Sequence, residues 1–244
     1  MRTLVIGVPL PHVTFDNYSF ISAPSLADYP RAIVEMEAVS RVVDEVVSGS
    51  GEAATFAGQS VANDASSSQA AGLADLLAMR RREAEWCLDR GGIVVCFGYP
   101  DVAHKGIEGL EGWRRWSWLP APDGFGYERD LLPGFGRPGV ILADEAHPFA
   151  EYGQVFADRL AYLLYVNEAA PAFPDAAGVF LRSQGGLAVG VELCVREGSI
   201  VIVPPMAATA EERVLLAETL FECLERWHNR LAPQAPDWIR EESL

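Results

Sequence analysis

Two runs in this chain, TLVIGV (residues 3–8) and IVVCF (residues 93–97), offer almost no polar side chain to either face of an extended backbone. Strands that alternate polar and apolar residues leave one face wet, whereas continuous apolar runs belong to strands covered on both sides. Both runs are far shorter than the roughly 20 residues that a membrane-spanning helix needs. A chain built around them must supply helices for two sheet faces, which is the requirement of a layered α/β domain.

Candidate covering helices are present. After a short strand at RAIVEM (residues 31–36), the segment AVSRVVDEVVSG sets Val39, Val42, Val43, Val46 and Val47 at helical spacing and ends on a glycine. A second helix starts at Ser67 or Ser68 and runs to Gly91 and Gly92, where paired glycines stop it before IVVCF. Its RRR run (residues 80–82) reads as a solvated face interleaved with acids. The last helix begins at Thr209 with Glu212 three residues on, a capping box, and is expected to bury Leu215, Leu216, Thr219, Leu220, Cys223, Leu224 and Trp227 along one stripe.

The connections differ in kind. PLPHVTFDNYSFISAPS, after the first strand, has no helical period and reads as a long ordered loop; residues 49–68 are Gly/Ser/Ala-rich and read as a mobile surface loop. GVILAD and LAYLLYV read as further strands on either side of a short helix begun at His147-Pro148. GVFLRS, GLAVGVELCV and GSIVIVPP read as three antiparallel strands joined by tight glycine turns. Residues 1–231 are expected to form a single α/β domain, followed by a Pro- and acid-rich tail over residues 232–244.

Charge and cysteine usage narrow the chemistry. With 34 acidic and 19 basic residues the net charge is -15, which disfavours nucleic acid and anionic membranes and favours a small-molecule or protein partner. The four cysteines and four histidines are scattered, with no CxxC and no metal-ligand spacing, so neither a metal nor another cofactor is expected. The N-terminal stretch lacks the pattern of a signal peptide, and the chain reads as a cytoplasmic protein.

In its order of elements the chain resembles the class I glutamine amidotransferase-like superfamily, particularly the ThuA-like and β-galactosidase-trimerisation-like branches. The resemblance is carried by LDRGGIVVCF, by the His-Pro pair of DEAHPFAEY, and by the closing strands GLAVGVELCVREGSIVIVPP. It implies a three-layer, mainly parallel, flavodoxin-like sheet with helices on both faces and a C-terminal antiparallel hairpin. It also implies a catalytic set: Cys96 as nucleophile, His147 (less readily His104) as base, and Asp144 or Glu145 as the orienting acid. Such a thiol needs exposure, an adjacent base and backbone N–H donors for the oxyanion.

This chain departs from that pattern at Val94, where a glycine would precede the nucleophile, and after Cys96, where a Pro100-containing loop replaces a helix. The departures favour a binding or protein-interaction subunit without glutaminase activity over the alternative, a cysteine-dependent hydrolase or amidotransferase. Loops at the carboxyl edge of such sheets bind ligands. His12, Asp16 and Asn17 after the first strand, with Tyr99, Asp101 and His104 after the third, are therefore the candidate ligand contacts. The string Trp113, Trp116 and Trp118 reads as core or as a surface through which copies of the chain would associate.

Overall fold

The structure, a computed structural model, describes residues 1–48, 53–56, 59–62, 67–101, 114–136, 139–169, 173 and 177–231. Strands are β1 (Thr3–Ile6), β2 (Phe15–Tyr18), β3 (Arg31–Glu35), β4 (Ala53–Phe56), β5 (Gln59–Ala62), β6 (Ile93–Phe97), β7 (Leu131–Pro133), β8 (Val140–Leu142), β9 (Leu164–Val166), β10 (Ala177–Ser183), β11 (Ala188–Val195) and β12 (Gly198–Val203). Helices are α1 (Met36–Ser48), α2 (Ser67–Asp89), α3 (Tyr127–Asp130), α4 (Ala150–Val155) and α5 (Ala210–Leu231).

The main sheet has the order β2-β1-β3-β6-β12-β11-β10-β8, with β9 joining β11 and β7 joining β9. The first five strands are mutually parallel, and β11, β10 and β8 continue the sheet antiparallel. This is the mixed α/β architecture expected: a mostly parallel central sheet flanked by helices, with antiparallel strands toward the C-terminus, consistent with a flavodoxin-like fold.

Register explains why the central runs are apolar throughout. Ile6, Val34, Cys96, Ile202 and Val191 lie side by side across five strands and all enter one core layer, together with Met36, Val39, Leu77 and Leu88. The alternate row, Val5, Ile33, Val95 and Val201, enters the opposite layer against Leu216, Leu220, Leu224 and Trp227 of α5. Each valine, leucine or isoleucine so covered contributes on the order of 1.5–3 kcal/mol of transfer free energy, which is why both faces of these strands stay apolar.

The paired glycines work as expected. Gly91 takes φ +72° at the end of α2, and a Cβ on Gly92 would lie 2.5 Å from Cys87 Sγ, so only glycine lets α2 end this close to β6. The capping box of α5 is formed: the Thr209 N–H donates to Glu212 Oε2 (2.8 Å) and the Glu212 N–H to Thr209 Oγ1 (3.3 Å).

Several expectations need correction. The loop after β1 contains an edge strand, β2. Its tight return is braced by Asn17, whose amide accepts the Leu10 N–H (2.8 Å) and donates to the Leu10 carbonyl (3.0 Å). Within the Gly/Ser/Ala-rich stretch, β4 and β5 pair antiparallel rather than forming a loop throughout. LAYLLYV is extended in a sheet only over Leu164–Val166, and the helix after His147-Pro148 starts at Ala150.

The RRR run is not uniformly solvated. Arg80 is buried, and its guanidinium donates to the carbonyls of Phe20, Ala23 and Pro24 and to Glu83, tying α2 to the loop that follows β2. Trp116 and Trp118 are buried in the chain's own core, so they offer no surface for association; Trp113 lies outside the described residues, as does the tail over residues 232–244. Among the described residues no helix is long and apolar enough to cross a membrane.

Candidate functional site at the carboxyl edge of the sheet

In open parallel sheets the chain leaves a crevice where neighbouring connections run to opposite sides, at the carboxyl ends of the strands. Here the reversal falls between β1 and β3, since the chain passes from β1 outward to β2 and then returns to β3. Gly7 closes β1 with φ +93°, and a Cβ there would stand 2.4 Å from the Ala38 Cβ of α1. Only glycine lets the backbone turn so close to the start of α1.

A cleft of about 670 Å³ opens at this edge. Its floor and walls come from the ends of β1 (Val8), β3 (Glu35), β6 (Phe97, Tyr99) and β12 (Pro205, Met206), the approach to β9 (Ala161, Leu163), and the first turns of α5 (Thr209, Arg213, Leu216). The volume falls within the range of small-molecule sites, and the pattern is theirs too: a mainly apolar lining with a few polar groups. A second cleft of about 530 Å³ lies on the other side of Gly7 and Val8, lined by Asn17, Tyr18, Ser19, Phe20 and Arg41.

The polar groups of the larger cleft are few and placed. Burial lifts the Glu35 carboxyl above its ordinary value, an effect opposed by Arg41, which pairs with it. Burial also raises the Tyr99 hydroxyl, and the negative charge of Glu35 adds to this; the Arg115 guanidinium lies 5.7 Å from the Tyr99 ring centroid. Arg115 in turn pairs with Glu37 (3.1 Å) and donates to Ser40 Oγ and the Pro100 carbonyl, both at 2.7 Å. Arg213, half-buried, sits one turn into α5.

The candidate ligand residues are divided by the fold. Tyr99 lines the larger cleft and Asn17 the smaller one. His12 stacks on Phe221 of α5 (ring centroids 4.4 Å apart) and bonds Thr14. Asp16 pairs with Arg2 and accepts the Tyr29 hydroxyl. The Asp101 side chain is buried, pairing with Arg114 (2.5 Å) and accepting the Trp116 N–H. His104 lies outside the described residues.

The candidate catalytic residues are not brought together. Cys96 is fully buried among the apolar side chains of one layer, and burial alone pushes its thiol far above the ordinary value. The backbone after Cys96 continues the sheet pairing rather than turning sharply, the Gly98 N–H donating to the Val203 carbonyl (2.8 Å). His147 lies on the opposite face, stacked on Phe180 with ring centroids 4.2 Å apart. Its Nδ1 accepts the Phe149 N–H (3.1 Å), which leaves Nε2 as the protonated nitrogen, donating to Glu192 (2.9 Å). Asp144 is exposed and accepts the Ala146 N–H.

The sequence did not point to Glu192 at all. It stands in the same row as Val201, and its burial, which alone would raise its carboxyl, is outweighed by donors from His147, Arg230, Ser199 and Trp227 that hold it well below the ordinary range. Trp227 Nε1 and Arg230 donate at 2.9 and 2.8 Å. Every partner is satisfied, so the cluster locks α5 and the His147 turn to β11. Glu35 and Arg213 were missed as well. Their signals are modest: a charge closing an otherwise apolar strand, and a cation one turn into a capped helix. Among the described residues no three His, Cys, Asp or Glu side chains gather as a metal set.

No protein-family model and no curated protein matches the sequence. Among solved structures, a cytoplasmic protein from Salmonella typhimurium is similar at TM-score 0.39 and 11% identity, covering 91% of this chain and 98% of the other. A candidate GMP synthase component from Thermoplasma acidophilum is similar at TM-score 0.38 and 9% identity, covering 94% and 98%. At these scores neither likeness assigns an activity to this chain.

Proposed function

We propose that this chain is a glutamine amidotransferase-like domain, akin to the ThuA-like branch, that binds a small molecule in the cleft at the carboxyl edge of its sheet without covalent chemistry at Cys96. The observation that carries the reading is the cleft itself: four strand ends and the first turns of α5 converge at the fold's reversal point on an apolar space with Glu35, Tyr99 and Arg213 at its walls. The buried Cys96 and its separation from His147 by the thickness of the sheet support the non-covalent form of the reading over a cysteine hydrolase.

A fragment panel followed by thermal shift tests it. A ligand that binds only the folded state stabilises by RT ln(1 + [L]/Kd), about 2.7 kcal/mol at a hundredfold excess over Kd. Hits should raise the Tm of the unaltered protein and leave that of Ala207→Trp, which fills the cleft from an exposed position, unmoved. Equal shifts in both proteins would place binding elsewhere.

A further inference from the structure

The charges around the larger cleft do not cancel. Glu35 is paired with Arg41, Glu37 with Arg115, and Glu212, on the same turn of α5 as Arg213, with Arg159. Among the described residues Arg213 has no carboxylate at ion-pair distance; it acts on Glu35 only through space. The chain as a whole carries a net charge of -15, yet the unbalanced charge lining this apolar space is a cation. The amino end of α5 is already met by Glu211 and Glu212 of its first turn, so the cation at this wall is Arg213 itself.

Opposite that cation the lining is hydrocarbon: Val8, Phe97, Leu163, Pro205, Met206 and Leu216. Arg213 is a half-buried residue of this lining, a guanidinium holds its water less tightly than an ammonium does, and a planar carboxylate is its best bidentate partner. A cationic ligand would meet Glu35 with its charge already taken by Arg41 and would face Arg213 unscreened. A neutral ligand would leave the guanidinium stripped of part of its water with nothing in return.

From this arrangement we infer that the cleft takes a small organic acid, its apolar body against Phe97, Leu163 and Met206 and its carboxylate on Arg213. The inference rests on the binding reading above and names its ligand class.

The test uses the full chain with 13C-methyl methionine and three matched probe pairs: phenylacetate and phenylacetamide, 4-phenylbutyrate and its amide, hexanoate and its amide. At least one acid is expected to shift the Met206 methyl saturably. Its amide should bind at least about tenfold more weakly, the loss that a charge-assisted bond worth roughly 1.5–3 kcal/mol implies. Arg213→Gln should lose the same factor, and Arg213→Lys should recover part of it.

If acids and amides bind alike and Arg213→Gln is indifferent, the organic-acid assignment is wrong while the cleft remains a binding site. The assignment is equally wrong if neutral or cationic fragments bind there and no acid does. If no probe and no fragment of any charge moves Met206, the binding reading fails and takes this inference with it. Should Arg213→Gln not fold, the acid and amide comparison on the unaltered protein decides alone.

Discussion

Cys96 and His147 face opposite sides of the same sheet: the cysteine is aligned with Val34 and Ile202 in one core layer, while the histidine stacks on Phe180 and bonds Glu192 in the other. No side-chain rotation brings the two together, because the strands of the sheet lie between them. The thiol chemistry follows from this placement. At neutral pH in native protein, iodoacetamide should modify Cys194, the exposed cysteine, and spare Cys96. Cys87 and Cys223, whose thiols burial lifts to about 11 and about 12, should also be spared until denaturant is added. Peptide mapping of labelled protein reads this directly, and rapid native labelling of Cys96 would revive the hydrolase alternative.

Glu192 should be the most costly carboxylate to alter. Replacing it with Gln weakens the buried hydrogen bonds from His147 and Trp227, while the exposed Arg230 can turn to water, and should cost about 1.5 kcal/mol by urea unfolding at pH 7. The pH dependence has a definite sign. The folded-state value lies below the ordinary one, so the stabilisation is complete above about pH 4.3 and is lost as pH falls toward the depressed folded value. Wild-type stability should therefore fall more steeply between pH 5 and pH 3 than that of Glu192→Gln, in paired unfolding series on that interval. Parallel slopes would show that Glu192 is not held ionised.

Arg80 should behave as a structural anchor. Arg80→Met keeps the apolar stem and removes the donors to three loop carbonyls and Glu83, leaving buried acceptors unpaired. A loss of about 2–4 kcal/mol is expected. Hydrogen exchange should rise first in the loop that follows β2, and uniform exchange across α2 would argue for a different role.

How far the sequence could be read depended on whether a signal was local. The Gly91-Gly92 stop, the Thr209 and Glu212 cap and the glycine turns between β10, β11 and β12 are statements about a few adjacent residues, and each was legible. Arg80 was not, because a charge run looks the same whether one member meets water or three carbonyls of a distant loop. Trp116 and Trp118 stand at strand spacing but lie in a turn, buried against Tyr127 and Phe20. Tyr99, named among the candidate contacts, lines the cleft at the carboxyl edge, yet the charged residues of its walls were not anticipated. Glu35 and Arg213 are far apart in the chain and converge only through sheet order and the return of α5.

Gly7 provides a check on the geometry of that edge. Gly7→Ala must hold a positive φ and place a methyl group 2.4 Å from Ala38 Cβ, a contact that forces α1 away from β1. A loss of about 3 kcal/mol is expected from strain and overpacking together. Near-neutral stability would mean that the β1 turn and α1 sit farther apart than described.

The central claim is that a ligand enters between Met206, Leu163 and Arg213. The chain's four methionines make a compact set of reporters: Met206 lines the cleft, Met36 is buried in the opposite layer, Met79 is exposed on α2, and Met1 opens the chain. Titration of 13C-methyl-methionine protein with the best-binding fragment should move the Met206 resonance saturably, leave Met79 and Met1 still, and lose the effect in Ala207→Trp. A ligand that binds with Met206 unmoved, or that moves Met79 as far, would contradict the account.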